Sequence, residues 1–280
     1  MKVSQVTGEE VPRSADSAQQ PGPPTGFVTA LTTTPVKGLR VNAQSELTLE
    51  RTGAPGNRTF YLVDERGKLV NGKRIGILSA VLADYDAQAG ELTLRFPDGT
   101  VVPGEVRLGE EIETRFFSRR PMARVVIGPW SDALSAYTGQ ALRLVRADPD
   151  LSGVDRGPRG AVSLISRASV ERLESLTGGR TVDSRRFRML VEVAGPAAHE
   201  EDEWVGRTVR IGEALVAIHG HVGRCLVTSQ QPDTGIVDLP TLELLGYRRG
   251  LETTEPLAFG VYGEVVEPGE VRLGDDVTPD

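Results

Sequence analysis

The chain has 280 residues and 30.1 kDa, 39% of them apolar and 25% charged, enough to fill one large domain or two of ordinary size. Its 32 Lys+Arg against 39 Asp+Glu leave a formal charge of −7, which argues against a generic nucleic-acid binder and leaves room only for a local basic pocket. A single cysteine, Cys225, excludes an intramolecular disulfide framework, a four-cysteine iron–sulfur cluster and a cysteine-rich structural zinc site.

Residues 1–26 are polar and rich in Pro, Gly, Ser and Gln, and read as a tail without fixed structure. They lack the basic-then-apolar order of a signal peptide, and no stretch reaches the roughly 18 to 20 apolar residues of a membrane span. A cytoplasmic location and no membrane or nucleic-acid partner are expected.

From Phe27 onward short apolar runs alternate with turn signals. Strands are predicted at Phe27–Leu31, Leu47–Leu49, Phe60–Val63, Leu78–Tyr85, Glu91–Phe96 and Glu105–Leu108. Between them lie Gly53-Ala54-Pro55-Gly56, Asp64-Glu65-Arg66-Gly67, Gln88-Ala89-Gly90 and Pro97-Asp98-Gly99. Helical spacing then predicts a helix over Ser131–Thr138 ended by Gly139, and another from Ser166 to Leu176 with Val170, Leu173 and Leu176 on one face. Further strands are predicted at Ala161–Ile165, Met189–Val193, Arg207–Ile211, Ala214–His219, Cys225–Thr228, Leu257–Glu264 and Glu270–Leu273, with a short helix behind Pro240. The stretch Arg146–Gly160 reads as a connection. The class is mainly β with few helices (α+β), and barrel-like.

All ligand types suited to a soft metal, His199 apart, fall within His219-Gly220-His221-Val222-Gly223-Arg224-Cys225. In an extended strand the odd-numbered residues share a face, which would bring His219, His221 and Cys225 together. Three readings stand at this point: an inert core thiol, a His/Cys zinc or iron site, and a thiolate nucleophile activated by imidazolium.

The run Gly223-Arg224-Cys225-Leu226-Val227-Thr228-Ser229-Gln230-Gln231-Pro232-Asp233-Thr234-Gly235 resembles the cysteine signature of the MOSC family, the molybdenum cofactor sulfurase carboxy-terminal domains. Thr34-Pro35-Val36-Lys37-Gly38, Gly56-Asn57-Arg58-Thr59-Phe60, Arg186-Phe187-Arg188 and Phe259-Gly260-Val261-Tyr262 resemble other pieces of that family in the same order. The resemblance is to the amidoxime-reducing type. It implies an N-terminal β-barrel-like domain at 27–118 and a MOSC β-barrel domain at 119–280.

It further implies a molybdenum cofactor (a molybdopterin) with Cys225 as metal ligand. Cys225 and His221 become the catalytic candidates. Lys37, Arg58, Ser163, Arg188, Arg224 and Thr228 become the cofactor-binding candidates, since guanidinium forks suit a phosphate. Lys37 stands out because the chain has only four lysines. The implied activity is reduction of N-hydroxylated or N-oxide-type small molecules, with electrons from a separate iron–sulfur, flavin or haem protein. The alternative is a sulfur or cofactor carrier working through a Cys225 persulfide. No pyridoxal phosphate is expected, because the desulfurase domain of full sulfurases does not fit in this length. Two departures matter: Met189-Leu190 stands where the family has Pro-Asn, and the His219-Gly220-His221 stretch is no part of its motif.

Overall fold

A computed structural model describes residues 24–147 and 157–280. The predicted tail up to residue 23, and residues 148–156 of the predicted connection, lie outside them.

Ten strands precede the first helix: β1 (Gly26–Thr33), β2 (Asn42–Gln44), β3 (Glu46–Leu49), β4 (Phe60–Val63), β5 (Leu69–Val70), β6 (Leu82–Asp86), β7 (Glu91–Arg95), β8 (Val101–Glu105), β9 (Arg107–Glu113) and β10 (Met122–Ile127). Helix α1 (Trp130–Thr138) and β11 (Arg143–Ala147) follow. The rest comprises β12 (Val162–Ser166), α2 (Arg167–Ser175), β13 (Val191–Ala194), β14 (Thr208–Ile211), β15 (Ala214–Gly223), α3 (Thr241–Leu244), β16 (Ala258–Glu267), β17 (Gly269–Arg272) and β18 (Asp276–Pro279).

The larger unit is a closed barrel of seven strands, β13-β12-β16-β15-β14-β18-β1, shut by pairing of β1 with β13. Closure removes the open edges that invite aggregation. Inward-facing Val191, Val193, Val209, Ile211, Val216, Val261 and Val277 fill it, together with Trp204. Only β12 and β13 run parallel, joined through α2. Ser166 caps α2 by accepting the Ser169 N–H, so this serine is fully buried structural material.

The smaller unit sets the sheet β5-β4-β11-β10-β9 against the sheet β6-β7-β8. Phe60, Leu62, Leu92, Leu94, Leu144 and Trp130 form its core. Trp130 is completely buried and its Nε1–H is shared between Leu92 O and Val102 O, at 3.1 and 3.2 Å. Pairing therefore ties β10 and β11, past residue 118, to the first half of the chain, and gives β1 to the barrel of the second half.

The predicted strand Leu78–Tyr85 divides into a 3-10 turn, Gly76–Ala80, and β6. Glu105–Leu108 breaks at Val106 between β8 and β9. Leu176 leaves the predicted apolar stripe, because α2 ends at Ser175 and the leucine is exposed. The predicted strand Cys225–Thr228 is a 3-10 turn, Leu226–Ser229. There the Thr228 backbone N–H and hydroxyl both bond Cys225 O, at 3.0 and 2.9 Å, a local side-chain bond that competes with a sheet ladder.

Among the described residues, no helix is long and apolar enough to cross a membrane.

The two units meet closely at one pair of glycines. Gly235 holds φ 73°, and a Cβ there would lie 1.8 Å from the backbone oxygen of Gly76. Gly235→Ala is expected to destabilise the fold by about 3 kcal/mol, because both partners of the clash are backbone. Urea unfolding followed by circular dichroism measures it, with Gly206→Ala as control, since Gly206 also has positive φ but open space at its Cβ position.

Candidate functional site

Cys225 is exposed and extended (φ −132°, ψ 176°), the first residue after β15 and Arg224 and the cap of the 3-10 turn that follows. Thr228 closes that turn and is itself buried; its carbonyl accepts from Arg186 Nη1 at 3.1 Å and from the Thr241 hydroxyl at 2.8 Å. Arg224 points away from the opening. Its guanidinium donates to Phe187 O at 2.9 Å and to Phe259 O, and lies 5.3 Å from the centre of the Phe187 ring. This arginine anchors the base of the Cys225 turn.

A crevice runs from the turn into the seam between the two units, lined by Val227, Gln230, Arg185, Arg186, Arg188 and Val41. Its volume is about 20 Å³, room for one water. Arg58 Nη2 donates to Arg188 O at 3.0 Å, and Arg188 Nη2 donates to Leu39 O at 2.6 Å. The two arginines thus sit together, although 130 residues separate them in the chain. Both adopt the left-handed backbone region, φ 54° and 55°, which costs a non-glycine residue energy and is held only where the surroundings insist. Lys37 begins from a turn whose N–H bonds Phe60 O at 2.8 Å, and its ammonium lies 5.7 Å from the Phe116 ring centre. Ser163 accepts the Leu190 N–H at 3.0 Å.

Two residues that sequence reasoning passed over shape this crevice. Arg185 bridges Asp183 and Asp233, with 2.6 and 2.8 Å contacts, and Asp233 also meets Arg40 at 3.3 Å. The Arg185 guanidinium, above all, holds the Asp233 carboxyl below the usual carboxylate range. Gln230 reaches across the seam, its Nε2 donating to Gly72 O at 2.8 Å. Gln230 lies inside the cysteine motif and Arg185 just before Arg186-Phe187-Arg188, but nothing in one sequence distinguishes a bridging arginine from a solvated one. A separate hollow of about 550 Å³, between β1–β3 and β6–β7, has none of the predicted site residues in its lining, and its Glu46, Asp84, Asp86 and Glu91 would repel an anion.

Matches to known proteins follow this division of the chain. The MOSC N-terminal beta barrel domain model matches residues 25–125, and the MOSC domain model matches residues 152–278. The chain belongs to the MOSC family. It is 26% identical to mitochondrial amidoxime reducing component 2 of Bos taurus, over 86% of this chain and 78% of that one. Mitochondrial amidoxime-reducing component 1 of Danio rerio is 25% identical, over 90% and 84% respectively. The solved YUAD protein of Bacillus subtilis is 10% identical, with a TM-score of 0.45, over 91% of this chain and 94% of that one.

The departure at Met189-Leu190 has a structural counterpart in this MOSC chain. Met189 Sδ lies 3.0 Å from Arg224 Nη2, its carbonyl accepts from the Thr32 hydroxyl, and the Leu190 N–H occupies Ser163. A Cβ at Gly260 would meet Met189 Cε at 2.8 Å, so the glycine makes room for the methionine.

The histidines do not form one set with the cysteine. The register of β15 against β16 shifts between Ile218 and Gly220 and again between His221 and Gly223, which breaks the simple alternation expected of a strand. His219 faces Glu264 at 3.1 Å and accepts from Arg159 at 3.2 Å. His221 is 6% exposed and its ring meets Thr254 and Asp202 instead. Among the described residues, no group of three His, Cys, Asp or Glu side chains is placed to hold a metal ion. The described side chains therefore do not gather into the set that a His/Cys zinc or iron site would need.

Behind His221 lies a buried polar network. Glu201 is fully buried, accepts from Ser166 N and Ser169 Oγ at 3.2 and 2.7 Å, and is pushed up by desolvation. His199 bonds Tyr247 through Nε2 at 2.9 Å, and burial pulls it down to about 4. His221 is also lowered by burial. Both histidines are neutral in the fold where the unfolded chain would take up protons, so stability is expected to fall as pH drops below 6.5 toward about 4. The urea midpoint should decline across that window, and His199→Gln should flatten the decline; an equally steep decline in the variant would contradict the assignment.

Proposed function

We propose that this MOSC chain holds a molybdenum cofactor in the Cys225 crevice and reduces N-hydroxylated or N-oxide-type small molecules. The observation that carries the reading is an exposed thiol at the start of the 3-10 turn whose Val227 lines an arginine-bearing crevice, in a chain alignable over most of its length with amidoxime reducing components.

The donor set fits such a group. A soft thiolate suits a transition metal, and Cys225 is the chain's single thiol. Arg58 and Arg188 now spend hydrogen bonds on neutral backbone carbonyls. A phosphate is a stronger acceptor for a guanidinium than a carbonyl, so both can turn to it, Arg188 from the lining of the crevice itself. Lys37 adds a point charge from the smaller unit. Ser163 and Thr228 would serve through the backbone they brace, Leu190 and Cys225 respectively.

When bound, the group supplies two-electron oxygen-atom chemistry. The protein's part is to ligate, orient and shield. Cys225 provides the thiolate on a turn braced by Arg224 and Thr228, and the arginines orient the anionic end. The net reaction takes an N–OH group, two electrons and two protons to N–H and water. The only cysteine being the ligand, electrons come from a separate iron–sulfur, flavin or haem partner.

Protein from a molybdenum-replete host should contain close to one molybdenum per chain by elemental analysis, and Cys225→Ala should contain about a tenth or less. Arg188→Ala should retain the fold but lower pterin content several-fold, measured by fluorescence of the oxidised pterin. Wild-type protein lacking molybdenum but carrying sulfane sulfur on Cys225 would overturn the reductase and favour the carrier.

A further inference from the structure

The His219-Gly220-His221-Val222-Gly223 stretch, which the MOSC signature does not explain, meets one loop. That loop connects the 3-10 turn Leu245–Arg248 to β16 and walls a hollow of about 530 Å³ with Leu251, Thr253, Thr254, Glu255 and Leu257. Two glycines admit it. A Cβ at Gly220 would lie 2.7 Å from the Thr254 hydroxyl, and one at Gly223 would lie 2.6 Å from a Glu255 carboxylate oxygen. The same carboxylate accepts the Gly223 N–H at 2.9 Å, only two positions before Cys225.

His221 makes the reciprocal contact. Its backbone N–H donates to Thr254 Oγ1 at 2.7 Å, and the Thr254 backbone N–H donates to His221 Nδ1 at 3.2 Å. An acceptor nitrogen carries no proton, so the ring is the tautomer with its hydrogen on Nε2. Nε2 faces Asp202 Oδ1 at 3.8 Å, while the other Asp202 oxygen is taken by Arg248. The charged groups bearing on the ring are Asp202, Arg248 and Glu255: the first and last favour a proton, Arg248 opposes it, and burial opposes it most. A proton added to the neutral ring must go to Nδ1, the atom on which the loop hangs.

We propose that neutral His221 is a positioning residue that latches the Arg248–Leu257 loop against β15 beside Cys225, and that protonation of Nδ1 releases the loop. Protonation replaces an acceptor with a donor, so the Thr254 N–H loses its partner and faces a like-signed N–H; the Nδ1–H can then reach only the Thr254 hydroxyl, 3.3 Å away. Any effect of the loop on substrate binding rests on the proposed function. The latch does not.

Amide hydrogen exchange of the full-length protein, read residue by residue by NMR, tests it without any cofactor. Between pH 7.5 and 5 the protection factor of Thr254 should fall at least tenfold relative to that of Ile218, a barrel amide bonded to Arg207 O. In His221→Asn, whose side-chain oxygen can accept in place of Nδ1 and does not titrate, the Thr254 protection should stay level. An unchanged wild-type ratio, or the same tenfold loss in the Asn variant, overturns the proposal. Should the variant not fold, the wild-type ring itself decides: the loss at Thr254 must run from the ordinary imidazole pKa down to the midpoint of the His221 nitrogen shifts, and a loss outside that window overturns it. In molybdenum-loaded enzyme the KM for an N-hydroxylated substrate should rise several-fold at pH 5 in the wild type and not in the Asn variant, with kcat less affected. An inactive enzyme would count against the function and leave the exchange result standing.

Discussion

Everything at the Cys225 end depends on how segment 230–235 is pressed into the seam between the two units. Gln230 reaches a carbonyl of the smaller unit, Asp233 joins Arg40 of that unit to Arg185 of the larger, and Gly235 sits almost on the Gly76 backbone. The contacts of Gln230 with Gly72, Asp233 with Arg40 and Gly235 with Gly76 each span more than 150 residues of chain. They also define the crevice, because Val227 and Gln230 form one wall while Arg185 and Arg188 form another. The turn that carries the cysteine is therefore anchored by contacts far apart in the sequence.

The arginines show a division of labour that their number conceals. Arg224 and Arg186 are consumed by carbonyls and by Asp238, and they stiffen the turn from below. Arg185 serves a carboxylate pair at the surface of the seam. Arg58 and Arg188 each donate to a backbone carbonyl from a left-handed backbone conformation, and on the proposed reading they are the pair that would turn to a phosphate. An acidic chain of net charge −7 can thus present an arginine-lined crevice, since carboxylates gather elsewhere, as around the hollow between β1–β3 and β6–β7.

On the other side of the cysteine the physics is of burial. His199, Glu201 and His221 are all driven toward their neutral forms by desolvation. A neutral imidazole can both accept and donate, which an imidazolium cannot, and the Thr254 contact uses that property. The MOSC barrel accommodates this with glycines at the two points where the loop would otherwise strike a side chain.

Alternating patterns, turn dipeptides and caps are local, and they determined the mainly β class, the strand at Phe60–Val63, the helix starting after Ser166 and the stop at Gly139. The family motif around the lone cysteine was legible too, because motif residues are short-range in sequence. Pairing was not. That β1 closes the C-terminal barrel, and that β10 and β11 belong with the first sheet, are matters of long-range contact that no periodicity records. The strand predicted through Cys225 failed because Thr228 can bond back to Cys225, and bulges in β15 undid the face shared by its histidines. Only the tertiary structure decided which arginines meet and which loop His221 holds, since a side chain's partner is set by what the fold brings within about 3 Å of it.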